Sequence, residues 1–376
     1  MEKIKFLIMA IMLFGCSNVS SPTSNNDSSI NESKNISSTA IIESSSSEQK
    51  LISVKYENPV YDSDFADPSY VKCEEDGYYY LFATGSKIIK TKDFANYEYV
   101  GAAFTSAPKW GTSGAGLWAP DVQYINGQYI MYYSLSRWDD PNPGIGIATS
   151  SHPAGPWEDK GKLFTSLEIG VNNSIDAMVY QEDGRVYMLW GSFRGNYIVE
   201  LTEDGLGLKG GLEYAKENKV LIAGYETNRP LDVATYEGCY LIKKDNYYYL
   251  FLSNGQCCSG AYSYSLRVAR SENIMGPYVS KNGKDILGGD RADTIISASS
   301  EFIAVGHNSV FKDDSNEYWT LYHGFKQSFN METYENEMDK SKRVLLMDKL
   351  VFEDGWPTVF GGIPSSNKKT GPAFYG

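Results

Sequence analysis

Cationic residues are the scarce class in this chain. Across 376 residues, 34 Lys and Arg face 47 Asp and Glu, for a formal net charge of -13. Such a surface repels polyanions, which argues against nucleic acid or an anionic membrane surface as partner; an uncharged polymer is tolerated. Helix signals are also sparse. Gly, Pro, Asn and Asp interrupt the chain too often for sustained amphipathic periods, and only the polar stretch Phe329 to Lys342 leaves room for a turn or two. The apolar run Phe6 to Phe14 is shorter than the roughly 20 residues a spanning helix requires. Cysteines number five and form no CxxC pair, which argues against a Cys-rich zinc site.

The N-terminus is informative. Lys3 and Lys5 precede the short apolar run, as in a signal h-region. Leu13-Phe14-Gly15-Cys16 resembles a bacterial lipobox, with cleavage before Cys16 and lipid on its sulfur. Residues 1–15 are thus expected to be a lipoprotein signal peptide. The Ser- and Asn-rich residues 16–52 are expected to be a disordered tether, and residues 53–376 the folded domain. The expected location is the cell envelope, with a lipid anchor through Cys16 facing the exterior or periplasm. An exported compartment permits disulfides, but the pairing of Cys73, Cys239, Cys257 and Cys258 is not legible.

What is abundant is tyrosine, 29 residues, in a chain that is 14% aromatic. Most of that richness reflects strand preference. Five turn signals each lead into an aromatic run: Asp76-Gly77, Asn126-Gly127, Asp183-Gly184, Asp245-Asn246 and Ser315-Asn316. Each follows another short apolar strand, at a spacing of roughly 50 to 70 residues that suits four-stranded propeller blades. The expected fold is therefore all-β, a single five-bladed β-propeller. A β-sandwich with coincidental hairpins is the competing architecture.

One isolated polar residue precedes each turn: Asp67, Asp121, Asp176, Glu237 and His307. The innermost strand of a blade lines the central channel, so equivalent positions converge on the axis. Four acids and a histidine facing one another are costly unless solvated, metal-bound or functional. Singly, each has a plainer account. Asp67 before Pro68 and Asp121 after Pro120 suit turns, and a buried His is more often satisfied by hydrogen bonds than a ligand. Together they suit glycoside hydrolysis, which needs an acid for the leaving oxygen and a carboxylate on the opposite ring face.

These segments resemble glycoside hydrolase family 43, and within it the arabinanases, over most of residues 55 to 362. The resemblance rests on several stretches in order. They are Ala66-Asp67-Pro68, Leu117-Trp118-Ala119-Pro120-Asp121, Ser174-Ile175-Asp176, Gly191-Ser192-Phe193, Glu237-Gly238-Cys239-Tyr240, Cys257-Cys258 and Gly306-His307-Asn308-Ser309. Arg343 and Asp354-Gly355-Trp356-Pro357 close the pattern. The resemblance implies Asp67 as general base, Glu237 as general acid and Asp176 as the group that raises and orients the acid. It implies inversion, with base and acid about 6.5–9.5 Å apart. It implies substrate contacts at Trp118, Asp121, Asn173, Ser192, Phe193 and Arg343, and His307 as ligand of a calcium ion otherwise held by water. A lone His is unusual for so hard a cation. The expected substrate is α-1,5-linked arabinan of plant cell walls, cut internally by a monomer. The alternatives are an exo-acting arabinofuranosidase or xylosidase of the same fold, a non-catalytic glycan-binding lipoprotein, or a propeller interaction module. Cys239 stands where that family commonly has Pro, and Arg194 where arabinanases often carry an aromatic.

Overall fold

The computed structural model describes residues 50–225, 236–258, 262–289 and 291–376. The expected signal peptide, Cys16 and nearly all of the expected tether lie outside them. Within them the chain forms five sheets in sequence order, each an antiparallel meander whose first strand is innermost. The inner strands are Ser69–Lys72, Gly116–Ile125, Met178–Glu182, Tyr236–Lys244 and Phe302–Lys312, in blades 1 to 5. The result is the five-bladed propeller, and each of the five turn signals joins the first and second strands of its blade. Asn126, Asp183, Asp245 and Asn316 have positive φ in these turns, as tight hairpins demand of Asn, Asp and Gly.

Every blade is contiguous in sequence, so the ring closes by packing and not by strand exchange between blades. Five apolar clusters fill the five seams. Trp190, Tyr132 and Phe164 lie between blades 2 and 3, and Phe94, Phe311 and Trp319 between blades 5 and 1. The aromatic richness of the chain is spent here: a fully buried large apolar side chain is worth about 1.5–3 kcal/mol, and Trp190 is fully buried. The strand Leu51–Tyr56 pairs with Lys369–Tyr375 as a separate ribbon beside the blade 5–blade 1 seam. It begins two residues inside the stretch expected to be tether.

The stretch Phe329 to Lys342 is not helical. It carries a strand, Glu335–Met338, that doubles back on the end of Tyr318–Asn330. Its polar composition reflects exposure of that hairpin on both faces. A helix does form at Gly211–Asn218.

Candidate active site

The inner strands share one irregularity. Asp67, Ala119, Asp176, Gly238 and His307 all have positive φ, between 37° and 61°. In each blade, regular pairing resumes two residues later, at Ser69, Asp121, Met178, Tyr240 and Ser309. These five residues are therefore equivalent. Asp, His and Gly are among the residues that enter this region most readily; Ala119 is the costly exception, at about 1 kcal/mol. The equivalence expected from sequence holds for Asp67, Asp176 and His307. Glu237 sits one residue earlier, in the register of Trp118, and Asp121 sits two residues later.

A belt of hydrogen bonds ties the irregular positions together. The Ala119 N–H donates to Thr84 Oγ1 at 2.9 Å, that of Asp176 to Ser134 Oγ at 2.8 Å, and that of His307 to Ser253 Oγ at 2.7 Å. The Asp67 N–H donates to His323 Nδ1 at 3.1 Å. Each acceptor lies on the second strand of the preceding blade or, for Thr84, one residue past it, opposite the residue before that blade's own irregular one. Blade 3 has Gly191 at that place and offers no side chain. The Gly238 N–H instead donates to the Asp176 carboxylate. A missing side chain on one strand thus couples Asp176 to the segment that carries Glu237.

The three carboxylates are buried, and their environments differ in sign. Asp67 Oδ1 lies 3.1 Å from His307 Nδ1, 3.2 Å from His323 Nδ1 and 3.3 Å from Arg343 Nη1, and Oδ2 accepts from Thr84. Burial alone would raise its pKa, but Arg343 and His307 outweigh burial and hold it well below the carboxylate range. Glu237 is pushed up by burial, only partly opposed by Ser192, whose hydroxyl donates to Oε2 at 2.7 Å, and by Tyr264. Asp176 is likewise raised, by burial and by its carboxylate neighbours Glu237 and Asp67. Burial would lower the pKa of His307, but the three carboxylates lift it to about 9, so it stands as a cation among them. His323 is driven down to about 4 by burial and remains a neutral acceptor, its ring stacked on Tyr264. One site thus holds a carboxylate held toward its ionised form and others pushed toward their acid form.

Around this centre, Trp118 packs against Trp138 with ring centroids 5.4 Å apart, and Trp138 is 69% exposed. Asn173 donates to the Ser192 carbonyl at 3.1 Å. Asn173 and Phe193 both have left-handed backbone, which aims the two loops of blade 3. Arg343 Nη1 also lies 3.6 Å from Cys258 Sγ, and Cys258 is disulfide-bonded to its neighbour Cys257. Asp121 points elsewhere: its carboxylate accepts from the Val179 N–H at 2.8 Å and from Gln123 at 3.0 Å, stapling blade 2 to blade 3. Cys239 is a buried free thiol in the core between blades 3 and 4.

Thr84, Ser134, Ser253, His323, Tyr264 and Trp138 carry no expectation from sequence. The first four had a signal: each directly follows the aromatic run of its blade's second strand.

The His307 surroundings supply one ring nitrogen where a calcium takes six to eight oxygen ligands. Asp67, the carboxylate that touches this ring, already accepts from Thr84 and pairs with Arg343. The donor set fits such an ion only if water supplies nearly all of its shell.

A five-bladed propeller that brings an Asp held toward its ionised form and carboxyl groups pushed toward their acid form together beside an aromatic platform has the parts of a glycoside hydrolase. The family model for glycosyl hydrolases family 43 matches residues 56–357. The chain belongs to this family and is a glycoside hydrolase. It is 31% identical to the extracellular exo-alpha-(1->5)-L-arabinofuranosidase of Cellvibrio japonicus, over 79% of this chain and 86% of that one. It is 30% identical to the extracellular endo-alpha-(1->5)-L-arabinanase 1 of Bacillus subtilis, over 78% and 86%. The solved alpha-L-arabinanase of Cellvibrio cellulosa, complexed with arabinohexaose, superposes with a TM-score of 0.66 at 28% identity, covering 79% of this chain and 95% of that one.

Proposed function

We propose that this protein hydrolyses α-1,5-linked arabinan with inversion, acting within the chain. The observation that carries the reading is the opposed environment of Asp67 and Glu237: one is held ionised by Arg343 and His307, the other pushed toward its acid form by burial. Asp67 takes a proton from water as the water oxygen bonds to the anomeric carbon. The bond from that carbon to the leaving oxygen breaks, and Glu237 gives its proton to that oxygen. Asp67 ends protonated and Glu237 ionised, and exchange with solvent restores both. Repulsion between Asp176 and Glu237 disfavours their simultaneous ionisation, which assigns Asp176 to raising the acid, and Asp176 fixes the Glu237 strand through the Gly238 N–H. Trp118 offers a sugar-stacking face, and Asn173, Ser192, Phe193 and Arg343 surround the reacting ring.

Relatives acting on α-1,5 linkages support the substrate. An exo mode is the second reading, carried by the exo-acting Cellvibrio relative, which is as similar as the endo-acting Bacillus one. Both relatives are extracellular, which supports export; Lys3, Lys5, the run Phe6 to Phe14 and the Cys16 motif support a lipid anchor at the cell envelope. A calcium ion at His307, largely ligated by water, would require the imidazolium to give up its Nε2 proton while Nδ1–H stays on Asp67. If so, chelation lowers activity or melting temperature and calcium restores it; indifference to both removes the ion.

Product sizing on linear arabinan tests the reading. Mixed oligosaccharides mean endo action and arabinose alone means exo. No product from any glycan in a panel overturns the enzyme assignment on arabinan. NMR of the fresh product anomers tests inversion, and retention would remove Asp67 from the base role.

A further inference from the structure

At the far end of the blade 1 inner strand lies a second cluster of reactive side chains. Asp67 precedes Ser69–Lys72 and Cys73 follows it, so the cluster stands roughly 20 Å from the catalytic centre, at about 3.3 Å per residue. Cys73 Sγ is 3.7 Å from His152 Nε2, and His152 Nε2 is 3.6 Å from Asp76 Oδ2. All three candidate ligand atoms lie within 4.8 Å of one another. Cys73 and Asp76 belong to the first hairpin of blade 1, and His152 to the loop between Gly144–Ser150 and Glu158–Thr165 in blade 2.

We propose that Cys73, Asp76 and His152 form a zinc site that staples blade 1 to blade 2, with water as the fourth ligand. Tetrahedral zinc holds sulfur at about 2.3 Å and nitrogen or oxygen at about 2.0–2.2 Å. Such ligands stand roughly 3.3–3.6 Å apart, so the two measured separations need only tenths of an ångström of closure. One sulfur, one nitrogen and one oxygen suit a borderline metal and not calcium or magnesium. The thiol is 1% exposed and aimed at the imidazole, while the His152 and Asp76 side chains are 29% and 31% exposed, which leaves an entry path. The supporting shell is partly in place. Asp76 Oδ2 accepts from the Tyr80 hydroxyl at 2.7 Å and Oδ1 from the Tyr78 N–H at 3.0 Å, and the Tyr80 ring meets His152 edge-on.

Loading has a definite proton balance. The His152 Nδ1 now accepts from the Ala154 N–H at 3.2 Å, so its proton is on Nε2. Zinc takes Nε2, the ring proton moves to Nδ1, and the contact to Ala154 is released. The thiol proton leaves to solvent, so one proton is released per zinc. Neither ring nitrogen nor thiol belongs to the hydrolytic site, and arabinan turnover does not depend on the metal.

The test is cobalt titration of the metal-stripped full chain, followed by zinc competition. We expect one equivalent of cobalt to give a thiolate charge-transfer band that zinc bleaches, a higher melting temperature, and a shifted Ala154 amide resonance. Cys73→Ser should abolish the band, and His152→Ala should weaken binding by at least about tenfold. No band, or a band that survives in Cys73→Ser, overturns the site. If Cys73→Ser does not fold, unchanged affinity in His152→Ala overturns it independently.

Discussion

Ser192 donates its hydroxyl to Glu237 Oε2 over 2.7 Å and, with Tyr264, favours the ionised form of a carboxyl group otherwise raised by burial. Its removal has a defined sign. The Ser192→Ala variant loses stabilisation of the ionised form, so the Glu237 pKa rises further. On the proposed mechanism activity needs protonated Glu237 and falls as pH rises through that pKa. The alkaline limb of the kcat/KM profile on linear arabinan should therefore move to higher pH. A limb that moves down would remove Glu237 as the acid.

Arg343 acts on the opposite limb. Its guanidinium holds Asp67 well below the carboxylate range. On the proposed mechanism activity needs ionised Asp67 and is lost as pH falls through its pKa. Arg343→Ala should raise that pKa and shift the acidic limb upward, while Arg343→Lys, which keeps the charge, should shift it less. The pH–rate profile reads both.

Glu237→Gln and Asp67→Asn test the pair directly. Each should lower turnover of linear arabinan by about 10²–10⁴-fold, the range for a positioned acid or base, with oligosaccharide binding nearly retained. Turnover by initial rates and affinity by calorimetry separate the two effects.

Gly238 is a position where no side chain fits. Its φ is +54°, and an added Cβ would stand 2.9 Å from the His307 ring. Gly238→Ala should cost about 1–2 kcal/mol from the backbone alone and displace His307. Thermal unfolding should show the loss, and turnover should fall with it.

Asp121 separates stapling from catalysis. Asp121→Ala orphans the buried Val179 N–H, a loss of about 1–3 kcal/mol, and KM on arabinan should change little. A large KM effect at unchanged stability would instead place Asp121 against substrate. Trp118→Ala is the contrasting case, with KM raised up to about tenfold, since an aromatic contact is worth about 0.5–1.5 kcal/mol, and kcat nearly preserved.

The propeller was legible because its signals are local. Asp183-Gly184 before Arg-Val-Tyr-Met-Leu-Trp specifies a hairpin within a dozen residues, and five such units imply a ring. Asp67, Asp176 and His307 were legible as a set for the same reason. The offset of Glu237 and Asp121 was not, because one extra residue at the irregular position changes register without changing the alternation of residue types. The partnership of Asp67 with His323 depends on blades that meet only in three dimensions, and the bond between neighbouring Cys257 and Cys258 depends on a loop conformation that no sequence pattern specifies. Phe329 to Lys342 misled because an exposed hairpin and an exposed helix share a polar composition.

The belt bond from the Asp67 N–H to His323 spans 256 residues of sequence, and the other belt acceptors lie one blade back. Blades 2 to 5 can each form, and dock on the blade before, through contacts between successive segments. The blade 5–blade 1 seam must instead close a loop of nearly the whole chain, the slow and entropically costly event of this topology. Asp67, the proposed general base, sits on that seam, with Arg343, His307 and His323 all supplied by the last blade. Catalytic competence is therefore the final product of folding. During refolding, tyrosine burial in the inner seams should recover before arabinan turnover does, and the interval between the two signals measures ring closure.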